Sequence, residues 1–273
     1  MRFNFCKRTD QNKVGLVQTI AVTGASRGIG ASAALALARP GRRLVLMARS
    51  ENKLRQIQAA VEQRGGQAIV LPVDLSSRKG AEACSEELLD CTHGQLDVLI
   101  LNAGISNHAD FLRSDLDAIE DELRLNYLSP MVILRRCLPH MVAQSNGGQV
   151  VCVGSLASLM PFPGEASYAA SKAALFSLLR SLRVELRDQP VKLTTVLPGY
   201  TATEMTENHR SLLPAMSPDR VGASIAKAVE ERSNLVIPGL SNRIAARLFR
   251  TFPTLGDRLV TFAPWIVPSV TQP

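Results

Sequence analysis

Aromatic residues are scarce in this chain of 273 residues, at 4 % of the composition with a single Trp. A surface that stacks the bases of single-stranded nucleic acid needs aromatic side chains, so this shortage argues against one. The chain also lacks any run of five like charges, although its net charge is +7. Scattered basic residues are typical of a solvated surface, and an anionic partner such as a phosphate-bearing ligand is the other interpretation.

Cysteine is present in an odd number, five, and no two cysteines are spaced as a CxxC pair. This pattern favours reduced thiols over a disulfide framework or a zinc site, and the four histidines also lack metal-ligand spacing. No apolar run reaches the roughly 18 residues of a membrane-spanning helix. Residues 1–17 are polar and basic and lack the apolar core of a secretion signal. We therefore predict a cytoplasmic protein without a metal.

Hydrophobic residues make up 46 %, which is enough for a full core. Short runs rich in Val, Ile and Leu, several apolar throughout, are typical of strands buried on both faces. The predicted strands are residues 19–22, 44–47, 68–73, 98–101, 149–153, 192–196 and 235–237. The predicted helices are residues 30–38, 51–64, 78–91, 115–126 running on to 130–144, 167–187 and 218–231.

Alternating strands and helices predict a single-domain α/β fold of the Rossmann type, a doubly wound parallel sheet of seven strands flanked by helices. We expect this domain to span residues 18–240. Residues 1–17 would form a poorly ordered extension, and residues 241–273 a C-terminal extension that packs as a lid or an interface. In such a sheet, ligands bind at the carboxyl ends of the strands, where the unusual residues of this sequence fall.

The first predicted strand runs into the sequence TGASRGIG at residues 23–30, followed by an Ala-rich helix. Glycines at this place allow a tight turn and a close approach to a pyrophosphate, which the helix N-terminus then binds. A purely structural turn is the alternative. The loop residues expected to bind the cofactor are Gly24, Ser26, Arg27, Gly28, Ile29 and Gly30.

The second strand is followed by Arg49, and no carboxylate occurs before Glu51. An NAD site usually has an acidic residue here that binds the ribose hydroxyls. Arg49 and Arg27 are instead suited to the 2′-phosphate of NADP(H), unless Arg49 is simply a solvated residue. Further cofactor contacts are expected after the third and fourth strands, although caps or turns would explain the same residues: Asp74, Leu75, Asn102, Ala103 and Gly104.

Ser155 ends the fifth strand, and Tyr168 and Lys172 follow at i and i+4 on one helical face. A phenol has a pKa near 10, and a nearby ammonium favours its ionised form. Ser155 is suited to hydrogen-bonding a substrate oxygen, and Lys172 to binding a ribose hydroxyl. By itself a Tyr–Lys pair is more often structural, but the Gly-rich loop and the serine in the same chain favour an acid/base site.

Together, TGxxxGxG at 23–30, Asn102-Ala-Gly104, Ser155 and Tyr168-xxx-Lys172 resemble the motif set of the short-chain dehydrogenase/reductase family. The resemblance covers roughly residues 18 to 240. It implies that Tyr168 is the general acid/base, that Ser155 polarises the carbonyl, that Lys172 lowers the tyrosine pKa and binds the nicotinamide ribose, and that Asn126 holds a water of a proton relay. It also implies cofactor contacts from Tyr168, Lys172, Pro198, Gly199 and Thr201.

The sequence therefore predicts an NADP(H)-dependent oxidoreductase that transfers hydride between nicotinamide and a carbonyl or secondary alcohol. Residues suited to an apolar substrate pocket are Leu156, Leu159, Met160, Phe162 and Met205. Two alternatives stay open: an NAD-dependent alcohol dehydrogenase, and a catalytically silent cofactor-binding scaffold. Nucleic-acid binding rests on the charge alone and is not expected.

The C-terminal extension mixes arginines with apolar residues at helical spacing, first in residues 242–249 and then in residues 251–270. A lid, or packing on the core or on a second subunit, is the favoured interpretation, and interfacial membrane contact by a basic amphipathic segment is the less favoured one. The family resemblance implies a homodimer or homotetramer formed through the fourth helix and the long helix that carries Tyr168.

Overall fold

A computed structural model describes residues 17–206 and 215–262. All its strands are parallel and form one sheet, as expected from the apolar runs. Their bounds agree with the sequence prediction to within two residues. The strands are β1 (Gln18–Thr23), β2 (Arg42–Ala48), β3 (Gln67–Pro72), β4 (Val98–Leu101), β5 (Gly148–Val153), β6 (Val191–Val196) and β7 (Leu235–Val236).

Helices connect the strands, and the long helix that carries Tyr168 follows β5. Two further helices, rich in Arg and apolar residues, follow β7. The helices are α1 (Gly28–Leu37), α2 (Glu51–Gln63), α3 (Arg78–Cys91), α4 (Leu116–Leu123), α5 (Ser129–Ala143), α6 (Ala166–Glu185), α7 (Pro218–Glu231), α8 (Leu240–Thr251) and α9 (Pro253–Phe262).

The fourth helical region differs from the continuous helix that the sequence predicts. A π-helical turn, Arg124–Leu128, separates α4 from α5. In this turn the Ser129 amide bonds to the carbonyl of Arg124, five residues back, so the turn contains one residue more than an α-helical turn. Local sequence spacing does not reveal this extra residue, because every residue in the turn is compatible with an ordinary helix.

The strand order is β3-β2-β1-β4-β5-β6-β7, so the chain crosses from one side of the sheet to the other between β3 and β4. The carboxyl ends of β1 and β4 are neighbours at this point, with Val22 paired to Ile100. In open α/β sheets this switch in direction creates the crevice in which ligands bind. The fold therefore brings the Gly-rich loop after β1 beside Asn102 after β4.

Alternate residues of the strands face two apolar cores on opposite sides of the sheet. One core contains the buried faces of α3, α5 and α6, and the other those of α1, α2 and α7. A smaller cluster joins Leu156 and Leu197, at the carboxyl edge of the sheet, to Ala246 of α8. These layers confirm the predicted Rossmann-type architecture as a single domain.

Part of the predicted division of the chain lies outside the residues that the structure describes. The predicted N-terminal extension, residues 1–17, lies outside them except for Val17, and so do residues 263–273 of the C-terminal extension. Among the helices that the structure describes, none is both long and apolar enough to cross a bilayer. Within the same ranges, no group of three or more His, Cys, Asp or Glu side chains is placed to hold a metal ion.

Candidate active site

The Gly-rich loop after β1 adopts the conformation that a phosphate cradle needs. Gly24 and Gly28 have φ of +67° and +56°, values that other residues rarely adopt. A Cβ on Gly24 would also lie 2.9 Å from Nδ2 of Asn102. The loop ends at the start of α1, where Arg27 is the N-cap residue and makes no side-chain cap. The first-turn amides and the dipole of α1 can therefore bind an anion.

Asn102 and Ala103, predicted as cofactor contacts, hold the loop in place. The Asn102 side chain donates to the carbonyls of Thr23, at 3.1 Å, and Gly24, at 3.3 Å. Both backbone amides, of Asn102 and Ala103, donate to Oγ1 of Thr23 at 2.9 and 3.1 Å. These bonds fix the end of β4 against the end of β1, so the two residues shape the cradle through the protein's own backbone.

Arg27 of the loop is paired with a residue that the sequence analysis did not identify. Its guanidinium forms an ion pair with the Glu204 carboxylate, and Nζ of Lys53, on α2, lies 3.6 Å from the same carboxylate. The hydrogen bond from Arg27 is the main reason that the pKa of Glu204 is lowered. Glu204 belongs to the turn that follows β6. This turn packs against the Gly-rich loop, because a Cβ on Gly28 would lie 3.3 Å from Cγ2 of Thr203, the residue before Glu204.

Arg49, Asp74 and Leu75 follow β2 and β3, at the far side of the sheet from β5 and β6. Arg49 is exposed and has no ion pair with a residue that the structure describes. Asp74 is exposed as well, and its Oδ1 accepts from the Ser76 amide at 3.0 Å. The Leu75 side chain is buried in the core and its carbonyl accepts from Oγ of Ser129 at 2.6 Å. Asp74 and Leu75 therefore also have structural roles as a turn and a core residue.

Ser155, Tyr168 and Lys172 converge where β5 meets α6. The Ser155 hydroxyl hydrogen-bonds the Tyr168 side chain, and its Oγ accepts from the Ala157 amide at 3.1 Å. Nζ of Lys172 lies 5.7 Å from the centroid of the Tyr168 ring and donates to the Val153 carbonyl at 3.3 Å. Tyr168 and Lys172 lie on one face of α6, and Ser155 follows the end of β5. The fold thus brings a phenol, an ammonium and a hydroxyl together.

Burial dominates the electrostatics of this group. Burial raises the pKa of Tyr168 to about 12, with the Ser155 hydrogen bond lowering it and the Glu165 and Glu122 carboxylates raising it further. Burial also lowers the pKa of Lys172 to about 8. The net direction for Tyr168 is opposite to the lowering expected from the lysine, because removal of the phenol from water is the largest contribution to its pKa.

Asn126 is fully buried in the π-helical turn, whereas an asparagine within a helix usually faces solvent. Its Oδ1 accepts from the Ile105 amide at 2.9 Å, and its Nδ2 donates to the Ile105 carbonyl at 2.8 Å and to Oγ of Ser171 at 3.0 Å. Gly104 is packed against it. A Cβ on Gly104 would lie 2.8 Å from Oδ1 of Asn126 and 3.1 Å from Nζ of Lys172.

A cavity of about 130 Å³ opens beside Ser155 and Tyr168. Ile29, Pro198, Gly199 and Thr201 line it, as do Leu156, Phe162 and Met205 of the predicted substrate pocket. The Thr201 side chain is turned to the protein, with Oγ1 donating to the Gly199 carbonyl at 3.0 Å. Leu159 and Met160, also predicted for the pocket, pack instead against the small cluster that includes Ala246.

Two carboxylates near Tyr168, one largely and one fully buried, were missed by the sequence analysis. Glu165 lines the cavity, accepts from Oγ of Ser106 at 2.7 Å and lies 3.2 Å from Nδ1 of His108. Burial raises its pKa. Glu122 is buried on α4 and accepts from the Ser167 hydroxyl. The position of Glu165, three residues before Tyr168, is a usable sequence signal, but Glu122 lies in an acidic stretch that is typical of a solvated face.

Comparison with known proteins is consistent with this site. A family model described as short chain dehydrogenase matches residues 18–213. The chain is 30 % identical over 256 residues to the fatty acyl-CoA reductase of Acinetobacter baylyi, covering 92 % of this chain and 85 % of that protein. It is 32 % identical over 192 residues to a 3-oxoacyl-(acyl-carrier-protein) reductase of Synechocystis, covering 70 % of this chain and 77 % of that protein.

A solved structure shares the fold over almost the whole chain. The short-chain dehydrogenase from Sphingobium yanoikuyae, in complex with NADPH, superposes with a TM-score of 0.76 at 27 % identity, covering 94 % of this chain and 98 % of that one. The family match runs from β1 past β6 and so includes both the phosphate cradle and the Tyr168 group. This chain therefore belongs to the short-chain dehydrogenase family, the nicotinamide-dependent oxidoreductases whose motifs its sequence resembles.

Proposed function

We propose that this protein is an NADP(H)-dependent reductase of carbonyl groups on apolar substrates, with Tyr168 as the general acid. The observation that carries the proposal is that Ser155 and Tyr168 line one cavity together with the residues after β6, while the Lys172 ammonium lies beside the Tyr168 ring. A scaffold that had lost its chemistry would not need to keep this group together. The same group works in the oxidative direction with Tyr168 as the base.

The residues around the Gly-rich loop fit a dinucleotide. Gly24 and Gly28 leave two positions of the loop without a side chain, and the start of α1 offers amides to the pyrophosphate. Arg49 supports the choice of NADP(H), because an exposed guanidinium at the end of β2 favours a 2′-phosphate and no acid competes there. The NADPH complex of the Sphingobium yanoikuyae relative supports the same choice.

Bound NADPH would supply the hydride that reduces the carbonyl carbon. Tyr168 donates its proton to the carbonyl oxygen, for which it is in the right form, because a pKa of about 12 keeps the phenol protonated at neutral pH. Ser155 donates a hydrogen bond to the same oxygen and orients it. Lys172 places a positive charge beside the ring and stabilises the phenolate that remains.

Asn126 would act behind these groups. The Asn126 side chain hydrogen-bonds both the backbone N–H and the carbonyl of Ile105. It thereby positions the backbone at Gly104, the preceding residue, which lies close to the Lys172 ammonium. We propose that this backbone holds the water that returns a proton toward Tyr168. The remaining predicted contacts, from Pro198, Gly199 and Thr201, would flank the nicotinamide where they line the cavity.

The cavity favours an apolar substrate through Leu156, Phe162 and Met205. Two relatives are named for reactions on acyl groups, a fatty acyl-CoA and a 3-oxoacyl carrier protein. We infer an acyl-like or similarly apolar carbonyl substrate for this chain. Ser106 and Glu165 give the cavity one polar wall, which would favour a substrate with a hydroxyl or amide donor near its carbonyl.

The first test is a fluorescence titration of purified protein with NADPH and NADH. We compare the wild type, Arg49→Ala and Arg55→Ala, an exposed arginine of α2 that is paired with Glu51. NADPH should bind more tightly than NADH, and Arg49→Ala should remove about tenfold of that preference while Arg55→Ala keeps it. Preference for NADH would overturn the choice of cofactor, and binding of neither would overturn the enzymatic proposal.

A homodimer or homotetramer through α5 and α6 stays a prediction. Leu128 and Val184, at 41 % and 63 % exposure, are apolar side chains beside and on these helices that such an interface would cover. Light scattering after gel filtration should give two or four chains per particle. A monomer at micromolar concentration would contradict the prediction.

A further inference from the structure

The two helices after β7 carry an exposed apolar surface that neither core uses. On α9, Leu255, Leu259 and Phe262 recur at i, i+4 and i+7, which places them on one face of the helix. All three are exposed, Phe262 to 75 %. On α8, Leu240 and Ile244 form a similar pair at 65 % and 60 % exposure. A soluble surface rarely groups large apolar side chains in this way without a partner.

This surface belongs to a folded unit, because the opposite sides of both helices are packed. Ala246 and Phe249 of α8 are buried, the first in the cluster with Leu156 and Leu197. Gly256 of α9 sits against the Phe249 ring, where a Cβ would lie 2.5 Å from the ring carbon Cδ1. The exposed stripes are therefore held outward by specific packing on the other side.

The charges on these helices are strongly one-sided. Arg243, Arg247, Arg250 and Arg258 are all exposed, and Asp257 is the only acidic residue between 240 and 262. None of the four arginines has an ion pair with another residue in the described parts of the chain. Apolar side chains next to unpaired arginines suit the surface of an anionic bilayer. The apolar side chains would enter the acyl region, and the arginines would reach the anionic headgroups.

We propose that α8 and α9, termed here the C-terminal hairpin, dock the protein onto anionic lipid surfaces. The occupant is lipid rather than a second copy of the hairpin, because two such surfaces would bring their arginines together. The hairpin also touches the candidate site, since a Cβ on Gly199 would lie 2.6 Å from Nδ2 of Asn242 on α8. Docking through the hairpin would hold the cavity next to a source of apolar substrates, an inference that rests on the proposed function.

Vesicle flotation of the full chain tests the proposal. We use vesicles of phosphatidylcholine alone and vesicles that contain one third phosphatidylglycerol, and measure bound protein at low and high salt. The wild type should float with the anionic vesicles, and less so at high salt because the arginine attraction is screened. Binding to neither vesicle, or equal binding to both at every salt concentration, would overturn the proposal.

Variants assign the binding to the hairpin. The stripe variant combines Leu255→Asn, Leu259→Asn and Phe262→Asn. It should bind the anionic vesicles more than about tenfold less than the wild type does. Arg243→Gln with Arg247→Gln should reduce binding by about fivefold for each arginine. Leu112→Ser with Leu116→Ser, which are exposed leucines outside the hairpin, are the matched control and should bind as the wild type does. Circular dichroism confirms that each variant is folded.

Three further outcomes separate the proposal from its competitors. If the stripe variant binds vesicles normally while a chain without residues 263–273 does not, the last segment is the contact and the proposal is wrong. If the stripe variant instead changes the number of chains per particle and leaves vesicle binding intact, the stripe is a subunit interface. Reduction of a short water-soluble carbonyl should be equal in wild type and stripe variant, so a failure of the enzymatic proposal is seen separately.

Discussion

The two ends of the candidate site hold their charges in opposite ways. At the reaction end, Lys172 is 4 % exposed and its pKa is lowered to about 8 by burial. At the phosphate end, the side chains of Arg27 and Glu204 are both about half exposed and are balanced by pairing with each other. Burial therefore determines the protonation state at one end, whereas exchange of ionic partners in water determines binding at the other.

Tyr168→Phe is expected to have the largest effect, because it removes the proton donor from the reaction end. The kcat for carbonyl reduction should fall by about 10³-fold while NADPH affinity changes little. Steady-state kinetics with a fluorescence titration separate the two effects. Tyr127→Phe, which alters a tyrosine packed against the core, is the control and should retain activity. Comparable activity in Tyr168→Phe would mean that another group donates the proton.

Gly104→Ala should disturb the reaction end through packing alone. The new methyl group would meet Oδ1 of Asn126 and Nζ of Lys172, so we expect kcat to fall by about 10- to 100-fold and the free energy of unfolding by about 1–3 kcal/mol. Gly94→Ala is the control, since its φ of +72° brings a backbone strain but its nearest neighbour lies at 3.8 Å. Loss of kcat in both variants would show a general rather than a local effect.

Lys172→Met tests how far burial controls the reaction end. The folded pKa of about 8 lies below the ordinary 10.5, so the buried ammonium destabilises the fold below pH 8 and this cost disappears as pH rises toward 10.5. Urea unfolding should show the variant more stable than the wild type at pH 7, by a few kcal/mol. The difference should close by about pH 10.

The comparison with wild type cancels the titration of groups that do not interact with Lys172. Burial raises the pKa of Cys84 and Cys137 to about 12, and these thiols lower stability above pH 9 in both proteins alike. Cys152 differs, because the Lys172 charge lowers its raised pKa and the variant loses this contribution. Lys227→Met, on the exposed side of α7, should show no such trend. A stability difference that is constant from pH 7 to pH 10 would contradict the role of burial.

Glu204→Gln should have the smallest effect, and it acts at the phosphate end. It frees Arg27 and Lys53 from their shared carboxylate, so NADPH should bind about two- to fivefold more tightly at low salt. The gain should vanish at high salt, because the groups are exposed to screening. Glu231→Gln, which removes the partner of Lys227, is the control. Weaker NADPH binding in Glu204→Gln would mean that Glu204 itself holds the cofactor.

The sequence predicted the reaction end better than the phosphate end for a physical reason. The strand order and the spacing of Tyr168 and Lys172 follow from periodicity, so their meeting with Ser155 could be predicted. The partner of Arg27 could not, because Glu204 comes from a turn 177 residues away whose path depends on tertiary packing.

The net pKa shift of Tyr168 was also out of reach of the sequence. It depends on how deeply the phenol is buried and on carboxylates from α4 and from the start of α6, which no local pattern brings together. The same holds for Leu159 and Met160, whose apolar character predicted a pocket but is equally suited to the cluster that they join. The residues that carry the chemistry could therefore be predicted from the sequence. Their burial and their neighbours could not, because these depend on the folded structure.

The π-helical turn between α4 and α5 has a consequence for anyone who redesigns this scaffold. Its extra residue advances the helix by about 100° relative to an uninterrupted α-helix. Deleting one residue from Arg124–Leu128 would restore ideal geometry and rotate Asn126 and α5 out of register with each other. A protocol that rewards regular helices would select such a deletion as an improvement, and would thereby remove the amide that holds Ile105.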